Sequence, residues 1–233
     1  MADFRINVTD IAGNEHECRV NKYPQSCPIC HHSIAPEFVA GICRSDKNDK
    51  PQAAFRCTQP NCGRLFIANY HDVSPGLNHL GRVEPVYARD VEFPEPVKEV
   101  SPMFVEIYKQ AMIAESQNLD QLTGIGLRKA LEFLVKDYAA STKPEDEKEI
   151  KKSFLSKCIK EHISDTKVKS CAERASWLGN DETHYIKKWG DKDINDLKIL
   201  IKLTVNWIES SILTEQYSMD MRKKEGGQQV NGG

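Results

Sequence analysis

Two cysteine pairs carry the clearest chemistry in this sequence, Cys27-Pro28-Ile29-Cys30 and Cys57-Thr58-Gln59-Pro60-Asn61-Cys62. Each spacing lets a tight turn aim both sulfurs at one ion, and four thiolates complete a tetrahedral zinc with no open position. A closed site of this kind is structural, because the metal's binding energy replaces a core too small to hold itself. The expected metal ligands are therefore Cys27, Cys30, Cys57 and Cys62, holding one Zn2+ per chain. His31 and His32 adjoin the first pair and are alternative ligands in place of a sulfur. Cys18 and Cys43 have no partner at knuckle spacing, and Cys158 and Cys171 fall on expected helices. All four read as buried thiols.

A second group of residues is polar where a plain helical bundle would not need it. Arg128 and Glu132 are four apart and share a helix face beside an apolar stripe. Gly179-Asn180 reads as a helix end with glycine in the left-handed position, and His184 falls on the turn that follows. These stretches, Leu127-Arg128…Leu131-Glu132 and Trp177-Leu178-Gly179-Asn180…Thr183-His184, resemble domain-of-unknown-function family 4145. That prokaryotic and phage family lies within the HEPN superfamily of helical domains, and the resemblance covers about residues 100–215. It implies a four- to five-helix, up-and-down bundle, often a homodimer, with a zinc ribbon ahead of it in some members. It also implies association with restriction and defence proteins. Many HEPN domains are ribonucleases whose motif is an arginine followed, after four to six residues, by histidine. Here the position three before Gly-Asn is Ser176, and Arg174 is separated from His184 by nine residues, so the sequence departs from that motif. The candidate ligand-binding residues are Arg128, Glu132, Asn180 and His184, and a catalytic reading would rest on His184 with Arg128. In it, histidine moves a proton from the 2′-hydroxyl and arginine stabilises charge on the phosphate.

The elements that must position these residues change character near residue 95. Before it, strands are expected at Phe4–Val8, Glu17–Val20, Phe38–Cys43, Ala53–Cys57, Leu65–Tyr70 and Arg82–Tyr87, rich in β-branched and aromatic residues between turn signals. Phe93-Pro94-Glu95-Pro96-Val97 reads as an extended linker, since each proline disfavours helix at its predecessor. After it come helices from Pro102 to about Gln117 and from about Gln121 to Tyr138. A third, opened by a Thr142-Lys143-Pro144-Glu145 capping box, reaches about His162. A fourth spans about Thr166 to Leu178. The last runs from Asp191 or Asp193 to about Met219 and is apolar on two faces: Ile194, Leu197, Ile201, Thr204, Val205, Ile208 and Ile212 on one, Leu200, Leu203 and Trp207 on the other. Such a helix is central in its bundle or lies at an oligomer interface. Trp177, Trp189 and Trp207 read as core or interface anchors. The expected class is α+β: a small β-rich zinc ribbon over 1–95, an all-α up-and-down bundle over 96–220, and a disordered tail over 221–233.

Composition removes several classes. Hydrophobic residues make up 39% and charged residues 28% of the 233, as in ordinary globular proteins. The net charge of −2 disfavours a broad nucleic-acid-coating surface. No apolar run approaches the roughly 20 residues of a membrane helix, and the N-terminus has no apolar signal core, so a cytoplasmic protein is expected. The lysines between Lys151 and Lys169 alternate with acids and read as a solvated face. Phosphate-binding glycine loops, serine-nucleophile elbows and paired-histidine protease motifs do not occur in the sequence. The sequence therefore points to a non-catalytic, zinc-binding interaction module for nucleic acid, a nucleotide or a protein, in phage defence or counter-defence. The alternative is a metal-independent ribonuclease.

Overall fold

The computed structural model describes residues 4–44, 50–74 and 76–225. It divides into two compact units, residues 1–89 and 90–233.

The first unit contains β1 (Phe4–Thr9), β2 (Glu15–Val20), β3 (Glu37–Ile42), β4 (Gln52–Arg56), β5 (Leu65–Ser74) and β6 (Leu77–Glu84). They close into a barrel in the order β1-β2-β6-β5-β4-β3. The β-rich character follows from the sequence, but the unit is a closed barrel rather than a small ribbon, because knuckle spacing says nothing about how distant strands pair. Closure is made by two short parallel junctions, Thr9 beside Ile42 and Val20 beside Asn78. At the first, a Cβ on Gly41 would lie 2.6 Å from Val8 Cγ1 and 2.8 Å from Asn7 O, so only glycine lets β3 come this close to β1. Alternation then fills the interior: Ile6, Val8, Cys18, Val20, Ala53, Phe55, Phe66, Ala68 and Tyr70 are buried. Phe55 is the hub, with ring centroids of Tyr23, Phe38 and Phe66 at 5.0, 5.8 and 6.1 Å. The last strand lies earlier than expected, since β5 runs on to Ser74 and returns at once as β6.

The second unit is helical: α1 (Glu95–Val100), α2 (Pro102–Ser116), α3 (Asp120–Thr142), α4 (Glu147–Lys152), α5 (Leu155–His162), α6 (Thr166–Asp181) and α7 (Ile194–Glu225). Three expectations fail here for local reasons. The expected linker is in part α1, because Pro96 occupies a first-turn position where a missing N–H costs nothing. Phe93, just before it, stacks edge-on against Phe104 and Tyr108 at 4.8 and 5.2 Å. The expected third helix is three pieces: a 3-10 turn at Pro144–Asp146, α4 and α5. Thr142 does not cap them, since its hydroxyl donates back to the Ala139 carbonyl at 3.0 Å. Finally, Gly179 and Asn180 lie inside α6, which ends at Asp181. α7 continues to Glu225, past the expected start of the tail at 221, while 226–233 lie outside the described residues.

α3 is the axis of this unit and packs against α2, α4, α5, α6 and α7. Its stripe Leu127, Ala130, Leu131, Leu134 and Val135 is fully buried. Among the described residues no helix is long and apolar enough to cross a membrane. Leu131→Ala should lower the stability of the helical unit by about 2–5 kcal/mol. Urea unfolding followed by far-ultraviolet circular dichroism checks this, and an unchanged midpoint would contradict α3 as the axis.

Candidate metal centre and polar cluster

Cys27 and Cys30 lie on the β2–β3 connection, Cys57 directly follows β4, and Cys62 sits in the β4–β5 turn. The structure brings all four together, with every sulfur within 4.8 Å of the others. Cys27 Sγ lies 3.9 Å from Cys62 Sγ, and Cys30 Sγ lies 3.7 Å from Cys57 Sγ. A tetrahedron of zinc–sulfur bonds of about 2.3 Å has sulfur–sulfur edges of about 3.8 Å. The donor set therefore fits a tetrahedral thiophilic ion.

The two knuckles are built alike. The Cys27 N–H donates to His32 O at 3.0 Å, and the Cys57 N–H donates to Arg64 O at 3.0 Å. In each the residue after the second cysteine takes a left-handed conformation, His31 at φ 60° and Gly63 at φ 57°. Glycine adopts that conformation without cost, and histidine is among the side chains that tolerate it. Neither His31 nor His32 joins the cysteine cluster. His32 Nδ1 is 2.9 Å from the Cys30 carbonyl, so this ring braces the turn instead. The segment after β6 reaches the same place, with the Tyr87 N–H on the Pro28 carbonyl at 3.1 Å and Arg64 over the Tyr87 ring.

Cys27 and Cys57 are buried and belong to the barrel's apolar cluster, whereas Cys30 and Cys62 are half-buried. Burial pushes the Cys57 thiol up to about 12 and the Cys27 thiol upward as well. The His32 backbone N–H pulls Cys30 down to about 6. Of the remaining cysteines, Cys18, Cys43 and Cys158 are buried and Cys171 is half-buried.

The polar cluster assembles in part. Arg128 Nε donates to Asn180 Oδ1 at 3.0 Å and Arg128 Nη1 to Glu132 Oε2 at 3.2 Å. Lys136 closes the other side of Glu132 at 2.6 Å. Although burial alone would raise it, these cations hold the Glu132 carboxyl below its ordinary value. A Cβ on Gly179 would lie 2.6 Å from Arg128 Cδ, so the bare glycine is what lets the arginine cross α6 to reach Asn180. His184 is exposed, and its ring makes no hydrogen bond or ion pair among the described residues. It lines a cleft of about 510 Å³ with Asn180, Trp177, Asp181, Tyr185, Lys188 and Trp189, of which Arg128 and Glu132 are not lining residues.

Sequence reasoning missed the device beside it. The buried Asp181 carboxylate accepts from the N–H groups of Lys188 at 2.9 Å and Trp189 at 2.6 Å, pinning the loop after α6. Burial opposes its charge, yet the two N–H groups keep the carboxyl below its ordinary value. The pinned loop lays Trp189 on Trp177, centroids 5.9 Å apart and planes 8° from parallel. Both rings remain about half exposed, at 43% and 45%, so they are not core anchors.

Comparison with family models, curated proteins and solved structures returns no match for this chain.

Purified protein should carry about one zinc per chain, and Cys57→Ser should abolish retention and lower the barrel's thermal stability. Metal uptake displaces thiol protons, so affinity should fall as pH falls. A chelator should therefore strip the metal more readily at pH 6 than at pH 8, by elemental analysis after dialysis.

Proposed function

We propose that this chain is a non-catalytic interaction module: a barrel held by one structural Zn2+ at Cys27, Cys30, Cys57 and Cys62, and a helical unit that pairs with a second copy of itself. The observation that carries the reading is the uncovered apolar face of α6 and α7. Trp177, Trp189, Ile199 and Leu203 are each at least 40% exposed there. Ile199 and Leu200 line a cavity of about 330 Å³ together with the tryptophan pair. On α7 the buried stripe Leu197, Ile201, Val205 and Ile208 faces the core; of the second face, Trp207 lies under Lys167 of α6 and Leu200 is half-buried, while Ile199 and Leu203 stay exposed. Arg174, Lys192 and Asp196 rim the cavity. Mixed signs on one rim suit a two-fold interface, in which a patch must complement itself. Aromatic centres with polar rims are the usual anatomy of such contacts.

The same geometry disfavours the ribonuclease alternative. Arg128 already serves Asn180 and Glu132, and Arg174 is tied to the Ser170 carbonyl and hydroxyl at 2.8 and 2.5 Å. Neither guanidinium is paired with His184. The resemblance to the helical family of defence systems supports a place in phage–host conflict, with the dimer presenting itself to a nucleic acid or protein partner.

Sedimentation velocity should show a dimer at micromolar concentration, and Trp177→Ala/Trp189→Ala should shift it to monomer without changing helical content. A monomeric wild type sinks the proposal. Wild-type protein should also leave RNA uncut on a denaturing gel without added metal. Cleavage lost in His184→Ala would instead establish the nuclease.

A further inference from the structure

We propose that Glu149, Glu161 and His162 form a second metal site, separate from the four sulfurs, for a divalent first-row transition ion. One ligand atom from each residue lies within 4.8 Å of the others. Acidic side chains at a surface gather without any such meaning, and the histidine makes the difference. His162 is 6% exposed, and both of its ring nitrogens are buried without a hydrogen-bond partner. Asp146 Oδ2 lies 3.5 Å from Nδ1, too far for a good hydrogen bond. Buried imidazole nitrogens without a partner are rare, and an ion is one of the few things that satisfies them.

The break between α4 and α5 builds the site. Glu149 comes from α4 and approaches from one side of the turn at Ser153-Phe154, while Glu161 and His162 come from the end of α5 on the other. The side chains of Glu149 and Glu161 are 57% and 47% exposed, so the buried imidazole would anchor an ion whose outer positions stay open to water. Asp146 stands outside this group and adds a carboxylate beside the ring that can orient it. One imidazole with two carboxylates is a nitrogen–oxygen set that suits Mn2+ or Zn2+ and not a thiophilic monovalent ion.

Lys157 is the built-in competitor. Its ammonium lies 3.0 Å from Glu149 Oε1 and 3.6 Å from Glu161 Oε2, bridging the same two carboxylates. A divalent ion binds by displacing it, so removing this lysine should tighten binding.

The test uses the full chain with zinc already loaded on the cysteines, titrated with Mn2+ and followed by the loss of the free-ion electron paramagnetic resonance signal. Mn2+ competes poorly for thiolates, which keeps the two sites apart. The expected result is one Mn2+ per chain, with nitrogen modulation in the pulsed spectrum from the imidazole. Glu149→Gln/Glu161→Gln, at exposed positions that leave the core intact, should weaken binding at least tenfold, and Lys157→Met should tighten it several-fold. Absence of binding, binding equal in the double glutamine variant, or a spectrum without nitrogen coupling would overturn the site.

Discussion

The barrel unit depends on the convergence of four sulfurs from two connections that lie far apart in the chain. The β3–β4 ladder, with Glu37 opposite Arg56, brings the end of the β2–β3 connection beside the start of the β4–β5 turn, and their cysteines meet at sulfur–sulfur distances of 3.7 and 3.9 Å. Two of the sulfurs are also members of the apolar core. An ion bound there fixes the knuckles and closes one face of the core in a single event, so metal affinity and folding free energy are coupled. The matching backbone bonds, Cys27 to His32 and Cys57 to Arg64, set each turn independently of the ion. Folding the turns in advance lowers the entropy that metal binding must overcome.

The helical unit solves a different problem, how to seat charge beside a packed stripe. Arg128 and Glu132 border the buried face of α3, and unpaired charges there would be expensive. Asn180, reached across the bare Cα of Gly179, and Lys136 supply the missing partners. Arg128 and Asn180 thus form a seam between α3 and α6.

The local alternation of β1, β2 and β4 and the knuckle spacings were legible because each depends on neighbours in the chain. Barrel closure was not, since it rests on single contacts such as Thr9 with Ile42. The left-handed reading of Gly179 failed because glycine signals absence of a side chain, and here the use of that absence is close packing against Arg128 rather than a turn. Trp177 and Trp189 were read as core or interface anchors by residue type, and their exposure removes the core reading. His162 was passed over as a helix end, because nothing in Glu161-His162 reveals that the ring is buried and unpaired.

The loop after α6 is the most tightly pinned part of this region. His184 shares its cleft with Asp181 and Lys188, and the backbone on either side of it is held hard by Asp181 and by the Glu182–Lys187 pair at 2.6 Å. What that rigidity positions is the Trp177–Trp189 stack. Two large rings held half-exposed in one orientation lose little freedom when a second surface covers them, so most of the burial free energy goes into association. The structure therefore fixes the aromatic pair in one orientation and leaves the His184 ring without a hydrogen bond among the described residues.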